Sequence, residues 1–240
     1  MTGTPGTDLV FINEEFEADA VTPGQLDLLL ADAWRHFGTH FFRYSLGIYR
    51  EEIRRVIPLR IRLADFQLSK SQGRILRKNK GLSSVIRPIS ITPDSNDLFQ
   101  RHKQRFDHDV PASIYDFLSL EPANVPCEAS EVAVYRDETL VAVSYFDVGL
   151  TTTSGIYAAF DPVESSRGLG IFTMLKEIEY ARDTGKEFYY HGYAYEGESF
   201  YDYKKRFSAL EAYDWYGKWE GFSYPSDKEG EVCALSTNEI

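Results

Sequence analysis

Residues 155–193 read GIYAAFDPVESSRGLGIFTMLKEIEYARDTGKEFYYHGY, and their reading decides the fold. Residues 155–160 are apolar and β-prone, and Asp161-Pro162 ends the run. Residues 170–183 form the most helical segment of the chain, and Gly185 closes it. Residues 188–193 are an aromatic strand. A strand, a helix and a second strand at this spacing are a crossover, which sets its two strands parallel in one sheet.

Working outward, residues 132–135 and 139–146 read as strands joined by the turn Arg136-Asp137-Glu138. Upstream, residues 94–107 and 112–120 suit two helices on either side of Pro111. Residues 69–80, SKSQGRILRKNK, predict a short basic helix capped by Ser69 or Ser71. Residues 56–66, VIPLRIRLADF, alternate apolar and basic positions, as a half-exposed strand does. Downstream, residues 200–207 predict a short helix and 212–219 a strand. Near the start, Thr22-Pro23 is a cap followed by proline, opening a helix through Trp34 with Gly38 as its stop. The order predicts an α/β (α+β) fold with a mixed, largely antiparallel sheet flanked by helices. Residues 1–55 read as an N-terminal extension with one helix, packed on a main domain spanning 56–240.

Composition narrows the function. Forty-three per cent hydrophobic and 26% charged residues describe a globular protein, and the 16 Tyr, 16 Phe and 3 Trp supply large groups for a core and for concave surfaces. No apolar run reaches the roughly 20 residues that span a bilayer, and no secretory signal opens the chain, so a cytoplasmic enzyme is expected. The two cysteines, Cys127 and Cys233, are too few for a disulfide framework or a thiolate-rich zinc site. A net charge of −11 argues against binding nucleic acid through bulk positive charge. Its distribution qualifies that: from Arg50 to Arg87 there are eleven Lys/Arg and three acids. This segment is either a solvated surface or an electrostatic footprint.

The order of elements resembles the GCN5-related N-acetyltransferases, whose pyrophosphate loop is Arg/Gln-x-x-Gly-x-Gly/Ala at the start of the central helix. Here that stretch is Arg167-Gly168-Leu169-Gly170-Ile171-Phe172. Phe172 replaces the last small residue, and its ring is expected to obstruct a pyrophosphate, which argues against ordinary acetyl-CoA use.

Three blocks together resemble the arginyl-tRNA–protein transferases and their bacterial relatives. The first is Pro58-Leu59-Arg60 with Phe66, Ser69-Lys70-Ser71-Gln72 and Arg77-Lys78-Asn79. The second is Phe160-Asp161-Pro162, Gly168-Leu169-Gly170 and Leu175-Lys176-Glu177-Ile178-Glu179. The third is His191-Gly192-Tyr193, then Tyr203-Lys204-Lys205-Arg206-Phe207 and Leu210-Glu211. Trp34-Arg35-His36-Phe37-Gly38 is a further echo. The resemblance implies aminoacyl transfer from a charged tRNA, arginine being the expected group, to the amine of a protein N-terminus or a small molecule. It implies no cofactor beyond the donor tRNA. The chain departs from the family twice. The interval 41–49 lacks the family's cysteine cluster, so no metal is expected, and Phe200 stands where a lysine is usual.

Such a transfer attacks an ester that is already activated, so the enzyme must orient two ligands, take the amine proton and stabilise the oxyanion. Neither cysteine lies in the matching blocks, and no thioester intermediate is expected. The expected catalytic groups are Tyr193, for a substrate carbonyl or ammonium, and Glu196 or Asp202, for the proton. His191, Lys204, Arg206 and Arg167 are expected to hold substrate, and Arg74, Arg77, Lys78 and Lys80 to meet tRNA phosphates. Sheet packing for Tyr193, a core position for His191 and loop solvation for Glu196 and Asp202 are the competing readings. An acyl-CoA N-acyltransferase and a non-catalytic peptide-binding relative are the alternative functions.

Overall fold

Local capping chemistry starts the first three helices of the chain, for which a computed structural model describes residues 10–106 and 110–224. Thr22 accepts from Gln25 N while the Gln25 side chain accepts from Thr22 N, a reciprocal cap that opens α1 (Pro23–Ala31). The helix ends before Trp34, because Ala33 turns the chain at φ +63°. Around α1 lie β1 (Asn13–Glu17), β2 (Arg35–Phe37) and β3 (His40–Tyr44), an antiparallel sheet in the order β1-β3-β2. Residues 13–44 therefore hold a small sheet beside the one helix expected. Next, β4 (Leu46–Tyr49) turns at Arg50 and Glu51, both at positive φ, into β5 (Glu52–Arg62). Paired left-handed residues match the twist of a hairpin, but neither residue type announces them.

Ser69 and Gln72 cap α2 (Lys70–Lys78) reciprocally, β6 (Ser83–Pro88) follows, and Thr92-Pro93 opens α3 (Pro93–Lys103). The helix expected through Asp107 stops at Lys103, and Asp107 itself lies outside the described residues. The helix expected over 112–120 is a single 3-10 turn, Ile114–Asp116. There the Asp116 carboxylate accepts from Ala112 N at 2.7 Å and closes the turn on itself.

Then come β7 (Ala129–Arg136), β8 (Thr139–Val148), β9 (Thr152–Phe160), α4 (Leu169–Asp183) and β10 (Phe188–Tyr195). A 3-10 turn over Phe200–Arg206 stands in place of the expected α-helix. The strand expected at 212–219 is a hairpin, β11 (Leu210–Tyr213) and β12 (Trp219–Gly221), because Asp214 Oδ1 accepts from Tyr216 N and Lys218 N and folds the chain back.

The main sheet runs β12-β11-β5-β10-β9-β8-β7-β6, with β4 added on β5, and its parallel pair is β9–β10, joined through α4. Alternate residues of β7 face opposite ways: Ala133 packs with Leu98 and Phe99 of α3, whereas Val132 and Val134 pack with Leu169 and Phe172 of α4. Helices thus cover both faces of a mixed, largely antiparallel sheet, the α/β class read from the order of elements.

Candidate active site

The parallel ladder between β9 and β10 is short. It pairs Thr152–Ser154 with Phe188–Tyr190, and the pairing of β10 with β5 slips between Tyr190 and Gly192. A carbonyl at an interrupted ladder needs another donor. Arg35 supplies it from β2, donating through Nη1 to Ser154 Oγ at 2.6 Å and through Nη2 to Gly155 O. A guanidinium is thereby fixed at the point where the two strands part.

A second cation lies beside it. Lys204 Nζ donates to Tyr193 O at 3.1 Å and sits 5.2 Å from the centre of the Tyr201 ring. Burial, and then the charge of Arg35, push the Lys204 amine down to about 7. His191 donates through Nε2 to Lys204 O at 3.0 Å, which leaves its buried Nδ1 without a hydrogen-bond partner among the described residues. Burial and the neighbouring Lys204 push this imidazole down to about 3, so the ring is neutral and anchors the 3-10 turn from behind. Tyr193 donates its hydroxyl to Ala33 O at 2.6 Å, and its main-chain oxygen is what holds Lys204. Deeper still, the Glu177 carboxyl is raised to about 7 by burial, against the bond it accepts from Tyr189 at 2.6 Å.

Gly192 makes this packing feasible. Its φ is +94°, and an added Cβ would lie 3.0 Å from Lys204 Nζ and 3.9 Å from Arg35 Nη2. Gly192→Ala is therefore expected to displace the lysine, with a fall in kcat of at least about 10-fold and a destabilisation of about 1–3 kcal/mol. Steady-state kinetics with a thermal melt check this, and a wild-type kcat would disprove the crowding.

The remaining expected residues are spread over three places. Glu196 is exposed in an open cleft of about 460 Å³ with Glu52, Arg54, Arg55 and Glu198, at the end of β10. Asp202 is committed to Lys205 at 2.8 Å, Ser199 at 3.0 Å and Tyr224 at 3.1 Å. Burial works to raise it, but the bonds from Lys205 and Ser199 outweigh that and hold the carboxyl below its ordinary value. Arg206 is exposed on the same turn. Arg167 lies elsewhere, bonded to Glu164 at 2.6 Å and to Lys78 O at 3.2 Å.

That last contact belongs to a seam between α2 and the glycine turn before α4. Lys78 Nζ donates to Ser166 O at 2.5 Å, Asn79 Nδ2 donates to Arg167 O at 3.0 Å, and Ile75 packs on Gly168. Phe172 does not obstruct the turn as expected. Its ring is buried in the core with Phe160 and Leu169, because the fourth position of α4 faces the sheet. What closes over the turn is α2. Its apolar Ile75 and Leu76 face the core, while Arg74, Arg77, Lys78 and Lys80 are exposed. Cys127 is buried, and Cys233 lies outside the described residues.

Sequence reasoning named Tyr193, His191 and Lys204, which the fold brings together, but not Arg35. Its signal was the Trp34-Arg35 block, which periodicity could not connect to β9.

The family model for the C terminus of arginine-tRNA-protein transferases matches residues 94–214. An aspartate/glutamate leucyltransferase of Cereibacter sphaeroides is 30% identical over 192 residues, 77% of this chain and 68% of that protein. One from Acinetobacter baumannii is 26% identical over 206 residues, 85% of this chain and 73% of its own. Among solved structures, L-PGS from Bacillus licheniformis overlaps 65% of this chain and 59% of its own at 10% identity and a TM-score of 0.48, a likeness too distant to carry an argument. No helix among the described residues is long and apolar enough to cross a membrane. A family model over half of the chain, with a 30% identical relative along most of both sequences, makes this chain a member of the arginine-tRNA–protein transferase family, aminoacyl-tRNA-dependent acyltransferases.

Proposed function

We propose that this chain moves a leucyl group from charged tRNA to the N-terminal amine of a peptide or protein whose first residue is acidic. One observation carries the mechanism: the Lys204 amine, tuned to about 7, beside the parting of β9 and β10. An α-ammonium has an ordinary pKa of about 7.7–8.0, so neutral Lys204 can take its proton with little driving force needed. The freed amine attacks the ester carbonyl carbon. The C–N bond forms, the C–O bond to the terminal ribose breaks, and the ribose oxygen leaves with a proton. Tyr193 and His191 then act through their hold on Lys204. Glu196 and Glu198 can draw a cationic acceptor end toward the cleft, and Arg54 and Arg55 can meet its acidic side chain.

Leucine is favoured over the arginine expected from the motifs for two reasons. The curated relatives are named leucyltransferases. Among the described residues, the groups in contact with Lys204 are His191, the Tyr193 carbonyl and the Tyr201 ring, with Arg35 close enough to lower its pKa, and none of these is a carboxylate that would attract a guanidinium. On the donor side, the exposed Arg74, Arg77, Lys78 and Lys80 of the α2 region suit acceptor-stem phosphates, with Arg167 joining that surface to the turn before α4.

A second reading, acyl-CoA as donor, keeps one observation in its favour. The α4 N-terminus follows a left-handed Gly168 and has no side-chain cap. The seam made by α2 speaks against it. Labelled Leu-tRNA, Arg-tRNA and acetyl-CoA, each offered with peptides beginning Glu, Asp or Ala, decide the matter. Leucine on the Glu and Asp peptides is expected. Label from acetyl-CoA alone favours the second reading, and label from no donor leaves a non-catalytic binding relative.

A further inference from the structure

His36 of β2, Cys127 just before β7 and Asp147 of β8 meet in the core at 4%, 2% and 1% exposure. His36 Nε2 lies 3.1 Å from Asp147 Oδ2, and Cys127 Sγ lies 3.5 Å from Asp147 Oδ1 and 3.9 Å from His36 Nε2. The other ring nitrogen of His36, Nδ1, is 2.8 Å from Gly38 O. A carbonyl only accepts, so Nδ1 carries a proton. With Nδ1 protonated, Nε2 faces a carboxylate oxygen at that distance, and the two need either a proton or a metal ion between them.

We propose that these three side chains form a buried Zn²⁺ site. Zinc bonds of about 2.0–2.1 Å to N and O and about 2.3 Å to S, in a tetrahedron, set donor–donor edges of roughly 3.3–3.6 Å. The ring-to-carboxylate distance of 3.1 Å and the sulfur-to-ring distance of 3.9 Å lie within a few tenths of an ångström of those edges. Imidazole and thiolate exclude Mg²⁺ and Ca²⁺, whereas a mixed N, S, O set suits borderline-soft zinc. Asp147 Oδ2 faces the ring and supplies the third donor atom, leaving a fourth position for a water molecule. The bond from Nδ1 to Gly38 O is the outer contact that orients a metal-bound histidine. The site clamps β2 to β8. Arg35 is the next residue along β2, so the clamp also fixes the guanidinium that reaches Ser154 and Gly155. The proposed transfer passes no step through this metal.

Elemental analysis of the purified chain and reconstitution of the chelated chain with Co²⁺ test the site without measuring activity. The expected result is roughly one zinc per chain. The Co²⁺ form should show a thiolate charge-transfer band and the strong visible bands of four-coordination. Zinc in large excess over its Kd should raise the thermal midpoint of the chelated chain by roughly 5–10 °C. Cys127→Ser should lose the charge-transfer band, and Asp147→Asn most of the bound zinc. Should either variant fail to fold, the wild-type metal content, spectrum and melting shift still decide. Less than roughly a tenth of an equivalent of zinc in the wild type, with no cobalt band, overturns the proposal and leaves a protonated His36–Asp147 pair. Folded variants with wild-type zinc and an unchanged cobalt spectrum overturn it equally.

Discussion

Lys204→Met is expected to lose aminoacyl transfer by about 10²–10⁴-fold and yet to melt at a higher temperature than the wild type. Both effects follow from the lowered pKa. The folded chain binds the Lys204 proton only below about 7, whereas the ordinary value is 10.5. Below about 7 both folded and unfolded chains hold the proton, and the folded chain bears the whole desolvation penalty. Between about 7 and 10.5 the unfolded chain binds more protons, so stability rises with pH, and above 10.5 the penalty is gone. Methionine removes the charge and keeps the stem. The variant should gain on the order of 1 kcal/mol near neutral pH, the lost bond to Tyr193 O offsetting part of the relief.

Activity should behave in the opposite sense. Wild-type kcat/KM should rise with pH as Lys204 loses its proton near 7, with the acceptor amine titrating just above. His191 is neutral throughout that range. Lys204→Arg keeps a cation that cannot give up its proton and should be as inactive as the methionine variant. Melts across pH 6–10 with matched rate profiles make the check. A methionine variant that keeps wild-type transfer and the wild-type pH profile removes Lys204 from the chemistry.

Charge reversal on α2 is expected to weaken tRNA binding by about 10–100-fold near 0.1 M salt and to reduce the salt slope by about two units. The pair to change is Arg74 and Arg77, both exposed on the helix face away from Ile75 and Leu76. Lys78 is a poorer choice, because its amine is bonded to Ser166 O and its loss would loosen the seam with α4. Glutamate at both positions should leave folding nearly unchanged, the new acids near the helix C-terminus costing a few tenths of a kcal/mol. Binding isotherms over a salt series, beside a titration of acceptor peptide, separate the two substrates. The acceptor KM should stay put. Equal tRNA affinity for wild type and variant at every salt concentration would move the nucleic-acid surface elsewhere.

Much of the fold was legible because its signals act over three or four residues. The caps at Thr22 and Ser69, the helical run ended by Gly185 and the alternation through β5 are neighbour effects, and the structure carries each of them. Where a segment follows backbone angles that its side chains do not announce, the reading went astray. Arg50 and Glu51 turn left-handed into a hairpin, and Asp214 folds a single expected strand into two. Phe172 shows the same limit from another side. Its position in the motif was plain, but the face of α4 that carries it is fixed by packing on the sheet.

The site divides in the same way. By itself the sequence determined the family motifs, the basic stretch and the neighbourhood of His191, Tyr193 and Lys204, which lie within 14 residues of one another. Only the tertiary structure decided what that lysine is. Its proton affinity depends on burial and on Arg35, which reaches Ser154 across 119 residues of chain. Periodicity and caps report on neighbours along the chain. Desolvation and charge act through space, and so they wait for the fold.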